Sequence, residues 1–214
     1  GMDDQWETEH FNSLDRDGSG DYDGDGISDL DEFKNGTSPA EFIIQLAKGY
    51  NMISITENVS LVPDLNDWLE IIGSSSEVEK VMAYDAGTGI FVSLVPESDQ
   101  NQAFSLTYGQ GLLVHALQDK AVVLRSVYCE ETDFEKGFNF KGFACAPGGY
   151  TAFQLLEDMG HSAIVNIQRY NTITGMFETA GFSSTGSPVG VDFPIVPGEG
   201  YFIVMAEAVS GFTP

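Results

Sequence analysis

K-G-Y-N-M-I-S-I at residues 48–55 comes back as K-G-F-N-F-K-G-F at 136–143. Three more echoes follow in the same order. W-L-E-I-I-G at 68–73 matches L-L-E-D-M-G at 155–160, and Y-D-A-G-T-G-I-F at 84–91 matches Y-N-T-I-T-G-M-F at 170–177. Y-G-Q-G-L-L-V at 108–114 matches P-G-E-G-Y-F-I-V at 197–204. The spacing between partners stays between 86 and 89 residues. Kept order and small drift mark an internal repeat, with units at 41–126 and 127–214.

Each unit reads the same way. A hairpin centred on Lys-Gly leads into a strand, Tyr50 to Ile55 or Phe138 to Ala144. A short helix follows, Val62 to Ile72 or Thr151 to Met159. Leu65, Trp68, Leu69 and Ile72 fall at helical spacing, and Gly73 suits the C-terminal cap. Two strands come next, joined by the A-G-T-G turn at 86–89 or the T-I-T-G turn at 172–175. A last strand is entered through G-x-G. The order β-β-α-β-β-β, twice, predicts an α+β fold, mostly antiparallel β. The repeated unit resembles one found in tandem in bacterial surface proteins, with a G-W-N-L-I-S-like first strand and a G-x-G-Y-W-like last strand. Tyr50 and Phe138 stand where that pattern often has Trp.

Ahead of the repeats lies an acidic stretch, residues 1–40. Within it D-Y-D-G-D-G-I-S-D-L-D-E runs from Asp21 to Glu32. Calcium takes six to eight oxygens, and a twelve-residue loop supplies them at fixed positions. Here Asp21, Asp23 and Asp25 hold positions 1, 3 and 5. Ile27 offers its carbonyl at 7, Asp29 stands at 9, and Glu32 at 12. Gly26 at position 6 allows the sharp turn. Asp15, Asp17 and Ser19 repeat the 1, 3, 5 pattern as a second set, with Gly20 at 6 and Asp23 at 9. Met2, Asp4 and Glu7 match positions 7, 9 and 12 of a preceding loop, so further loops are expected upstream.

M-D-D-Q-W-E at 2–7, H-F-N-S-L-D at 10–15, D-Y-D-G-D-G-I-S-D-L-D-E-F at 21–33 and G-T-S-P at 36–39 together resemble thrombospondin type 3 repeats of bacterial secreted and cell-surface proteins. The resemblance implies calcium binding and an extracellular location, with Asp21 or Asp23 bridging neighbouring loops. It implies no activity.

Composition narrows the partners. Against 33 Asp plus Glu stand 9 Lys plus Arg, a net charge of -24. That surface repels phosphate backbones and anionic lipid and attracts cations, so no nucleic acid is expected as a partner. No apolar run reaches the ~18 residues of a membrane span, so no membrane insertion is expected. Cys129 and Cys145 lie symmetrically about Gly137. They form either a disulfide across the hairpin or two buried free thiols. Two Cys and three scattered His do not build a zinc site.

Catalytic signals are sparse. His10, His115 and His161 read as packing or surface residues. G-F-S-S-T-G at 181–186 is not a nucleophile elbow. G-Q-G at 109–111 and G-E-G at 198–200 precede strands, which excludes dinucleotide binding and leaves turns that admit a strand at close quarters. Trp68, Tyr84, Phe91, Tyr108, Phe140, Tyr170, Phe177, Tyr201 and Phe202 recur at matched positions and read as core. The sequence therefore predicts a non-enzymatic, calcium-stabilised extracellular module of structural or adhesive role, with a cell-surface glycan or protein as ligand. A carbohydrate-binding module appended to a secreted hydrolase is the alternative.

Overall fold

The computed structural model describes residues 1–11, 13–23, 27–39, 41–56, 64–124 and 129–214. The expected boundaries at 40/41 and 126/127, and the helix start at Val62, fall on or beside residues outside that set. Among the described residues, mostly antiparallel sheet with four short helices makes this an α+β fold. Among the described residues no helix is long and apolar enough to cross a membrane.

Two helices lead, α1 (Asp4–Phe11) and α2 (Asp29–Asn35). Then come β1 (Phe42–Leu46), β2 (Gly49–Ser54), α3 (Leu65–Ile72), β3 (Val78–Asp85), β4 (Ile90–Leu94), β5 (Gly111–Ala116) and β6 (Lys120–Leu124). The chain continues with β7 (Thr132–Phe134), β8 (Gly137–Lys141), α4 (Ala152–Met159), β9 (Ile164–Asn171), β10 (Met176–Phe182), β11 (Pro188–Gly190), β12 (Tyr201–Met205) and β13 (Val209–Phe212). One sheet runs β2-β5-β3-β4 and the other β11-β10-β9-β12-β8. Two ribbons, β1-β6 and β7-β13, complete the set.

The Lys-Gly turns are not hairpins, which corrects the sequence reading. β1 pairs with β6 while β2 pairs with β5, so the strands flanking Lys48-Gly49 never bond each other. Instead residues 42–54 lie against 111–124 as one ribbon bent at Ala47–Lys48. The reason is local. Gly49 sits at φ 105°, and the Asn51 side chain accepts from Ala47 N and donates to Ala47 O and Gly49 O. Those bonds satisfy the backbone at the corner where the ladder cannot. Gly137 and Asn139 do the same for Glu135. Each bend requires a strand after the G-x-G strand, β6 or β13, and β11 adds one more at the edge of the second sheet. These three were not anticipated.

Helix α3 begins at Asp64, whose carboxylate caps Asn66 N, and closes on Gly73, whose N–H reaches Leu69 O. Thr151 and Gln154 form a capping box on α4. Trp68, Leu65 and Ile72 then pack fully buried against Val81, Leu112 and Val114. Leu155 and Leu156 pack against Ile167, Tyr201 and Ile203. Burial of a large apolar side chain is worth roughly 1.5–3 kcal/mol, so these two cores carry the stability of the β body.

The sheets meet along a seam. Short bridges Ile53↔Glu199 and Gln110↔Lys141 cross it. Ser54 N donates to Gly198 O at 2.8 Å, and Gly142 N to Gly109 O at 2.8 Å. Here the G-x-G glycines find their use. A Cβ on Gly111 would collide with the Phe140 ring, and one on Gly200 with the Ile53 carbonyl. The bare backbone lets the two sheets touch.

Cys129 and Cys145 form a disulfide, with Cα atoms 5.6 Å apart. It joins the chain before β7 to the chain after β8, not two paired strands of one hairpin.

Candidate metal centre

The acidic segment is organised around rings and one cation. Trp6 on α1 meets Phe33 on α2 edge-on at 5.2 Å, and Phe11 meets Tyr22 at 5.1 Å. Arg16 lies between Phe11 and Tyr22, its Cζ 4.9 and 5.0 Å from their centroids. Its Nε donates to Asp29 Oδ2 at 2.7 Å. Sequence reasoning passed over Arg16. The signal was there, since Arg16 and Lys34 are the only cations among the first 42 residues.

Two loop halves are laced together by backbone. Asp29 N donates to Gly20 O at 2.7 Å and Leu30 N to Gly18 O at 3.0 Å. Gly18 holds φ 82°, and a Cβ there would meet Leu30 Cβ at 2.8 Å. Ser28 caps α2 by accepting from Asp31 N, and Gly36 closes the helix in the left-handed conformation.

Placed on this frame, the predicted ligands separate into buried and exposed groups. Asp23, Asp29 and Glu32 are buried at 1%, 0% and 1% exposure. Asp21 and Ile27 are exposed. Asp25 lies outside the described residues. Asp29 has both oxygens engaged, Oδ2 by Arg16 and Oδ1 by Tyr22 N at 2.9 Å. Of the second set, Asp15, Asp17 and Ser19 are all exposed. Ser19 donates to Asp17 Oδ1 from both its backbone N and its Oγ, which holds the Asp17 carboxyl below its ordinary value. Glu7, expected as the end of a preceding loop, is buried at 6% exposure. Its Oε1 has no hydrogen-bond partner among the described residues. Also among the described residues, no group of three or more His, Cys, Asp or Glu converges closely enough to hold a metal ion.

The remaining candidates have structural partners. His10 Nδ1 lies 2.8 Å from Trp6 O. His115 pairs with Glu79 and packs on Tyr50. At the seam, burial pushes the Glu199 carboxyl up, opposed by the Tyr201 hydroxyl and Arg169. Burial pulls the Lys141 ammonium down while its Nζ donates to Thr107 Oγ1 and Tyr108 O. Of the aromatics read as core, Trp68, Tyr108, Phe140 and Tyr201 are buried, but Phe91 and Phe177 stand 39% and 52% exposed.

Compared with known proteins, the chain matches no family model, no curated protein and no solved structure.

Proposed function

We propose that this is a non-enzymatic, calcium-stabilised extracellular module of structural or adhesive role. The observation that carries the reading is the twelve-residue loop spacing from Asp21 to Glu32, in which Asp23, Asp29 and Glu32 are each buried and Arg16 pairs with Asp29. Calcium takes six to eight oxygen ligands, and carboxylates and a carbonyl at this spacing supply several of them. Asp21, Asp23, Asp25, the Ile27 carbonyl and Glu32 would hold it. Asp29, engaged by Arg16 and Tyr22, braces the loop. The exposed set Asp15, Asp17 and Ser19 offers a weaker second position.

The β body we read as two tandem copies of one unit. What supports this is shared detail: Asn51 and Asn139 at the bends, Asp64 and Thr151 at the caps, Gly89 and Gly175 at the turns, and reciprocal bridges across the seam. The disulfide favours an oxidising compartment, in keeping with secretion.

Calorimetry with calcium tests the metal reading. The expected result is binding in the range of extracellular modules, Kd of about 10⁻⁴ to 10⁻³ M, abolished by Asp23→Ala with Glu32→Ala. No heat up to ten millimolar calcium, with a melting curve unmoved by chelator, defeats it.

A further inference from the structure

The two sides of the seam are filled differently. On one side Phe138 packs edge-on against Tyr84 at 4.7 Å, and Phe140 lies 6.2 Å from Phe91. On the other, Tyr50 takes the place that the K-G-Y-N and K-G-F-N echo gives to Phe138, and Tyr170 the place of Tyr84. There Tyr50 leans instead on His115, centroids 4.5 Å apart, and the Glu79 carboxylate lies beside His115 Nδ1. A cavity of about 250 Å³ is left, walled by Tyr50, Tyr170, Phe177 and Phe202 and floored by Met52, Met82 and Leu113. It is open to solvent, since Tyr50 and Phe177 are each more than a third exposed.

We propose that this cavity binds a quaternary ammonium group. The lining has no amide and no charged side chain, and its polar side-chain groups are the Tyr50 and Tyr170 hydroxyls, so a sugar would lose more hydrogen bonds to water than the walls can replace. A trimethylammonium head asks for no hydrogen bonds. The faces of aromatic rings carry negative potential, and several together attract such a cation. The surroundings select for positive charge as well: the chain carries -24, and the Glu79 carboxylate lies beside His115, on which Tyr50 packs. The volume is below that of sites for drug-sized molecules, which fits a head group. The ligand class is a small organic cation bearing methylated nitrogen and no compensating negative charge.

Three probes on the full chain separate charge from shape: choline, its neutral carbon isostere 3,3-dimethylbutan-1-ol, and zwitterionic glycine betaine. In calcium-saturated buffer, calorimetry and the proton spectrum of the N-methyl groups report binding. Choline is expected to bind at least tenfold tighter than the isostere, with betaine between, and its methyl signal to move upfield under the rings. Phe177→Leu keeps apolar volume and removes a π face. It is expected to weaken choline by roughly two- to thirty-fold and spare the isostere. Tyr50→Ala, at a half-exposed ring, is expected to weaken choline while the melting curve stays intact. Equal binding of choline and isostere, no binding of choline, or choline binding untouched by both substitutions overturns the proposal.

Discussion

The acidic segment and the β body bury opposite kinds of side chain. Between α1 and α2 the deeply buried groups include Glu7, Asp23, Asp29 and Glu32, while the rings of Trp6, Phe11 and Phe33 are only partly covered. In the β body the buried groups are mainly Trp68, Leu112, Ile167 and their neighbours, the buried polar ones carry no charge, and Asn51 and Asn139 among them are tied to backbone. Apolar burial is indifferent to ions. Buried carboxylates are not. One molecule therefore holds two regions whose stability answers to different conditions, and perturbing each should leave the other standing.

The strongest way to break that separation is Trp68→Ala. The indole is fully buried under α3, so the body should lose about 3–5 kcal/mol. A denaturant melt followed by far-ultraviolet dichroism measures it. Calcium heats should persist wherever the body remains folded. If they vanish together with a body that is still folded, the two regions are coupled. Next comes the double substitution Cys129→Ser with Cys145→Ser. A crosslink closing a span of 16 residues constrains the unfolded chain by about 3 kcal/mol. The same melt should show that loss, again without change in calcium heats.

How much of this was legible follows the same division. The echoed units announced the strands of the β body other than β6, β11 and β13, its helices α3 and α4, and their glycine caps, because those depend on local pattern. The strand pairing was not legible. K-G-Y-N reads as a hairpin turn until Asn51 is seen bonding back to Ala47, and that bond makes a bend between two ribbons. The seam role of G-x-G was legible only as close approach; that Gly111 faces Phe140 from another sheet needs the tertiary fold. In the acidic segment the spacing marked Asp23 and Glu32, which are buried, and equally Asp15 and Asp17, which are exposed. Spacing fixes residue order along a loop and cannot report which carboxylates the tertiary fold buries.

A smaller effect sharpens the comparison by changing sign. Asp23→Asn with Glu32→Gln removes two buried negative charges and keeps the side-chain shape. In chelator the segment should gain about 1 kcal/mol, since the repulsion among carboxylates falls. In millimolar calcium it should lose at least as much, because the ligands are weaker. Tryptophan fluorescence reports the segment through half-buried Trp6, with Trp68→Phe as background to silence the body. A shift of the same sign in both buffers would mean that these carboxylates are buried for reasons unrelated to a metal.

The smallest effect lies at the seam and concerns pH. Glu199 and Gln110 occupy matched places in the bridges Ile53↔Glu199 and Gln110↔Lys141. Burial raises the Glu199 carboxyl above its ordinary 4.5. A carboxyl whose folded pKa is raised binds its proton more tightly in the folded protein. Its contribution to stability is therefore full below 4.5 and is lost as pH rises through the folded value. Glu199→Gln fixes the neutral form that Gln110 already has, and its amide oxygen can still accept from Tyr201, whose hydroxyl reaches Glu199 Oε2 at 2.9 Å. The variant should be more stable than the parent at pH 7, and the two should converge near pH 4. The side chain is 39% exposed and Arg169 Nη1 stands 3.9 Å away, so screening holds the gain under about 1 kcal/mol. Paired melts across pH 4–8 read it. A variant less stable at pH 7 would show that the ion pair with Arg169 outweighs the desolvation of Glu199 at the seam.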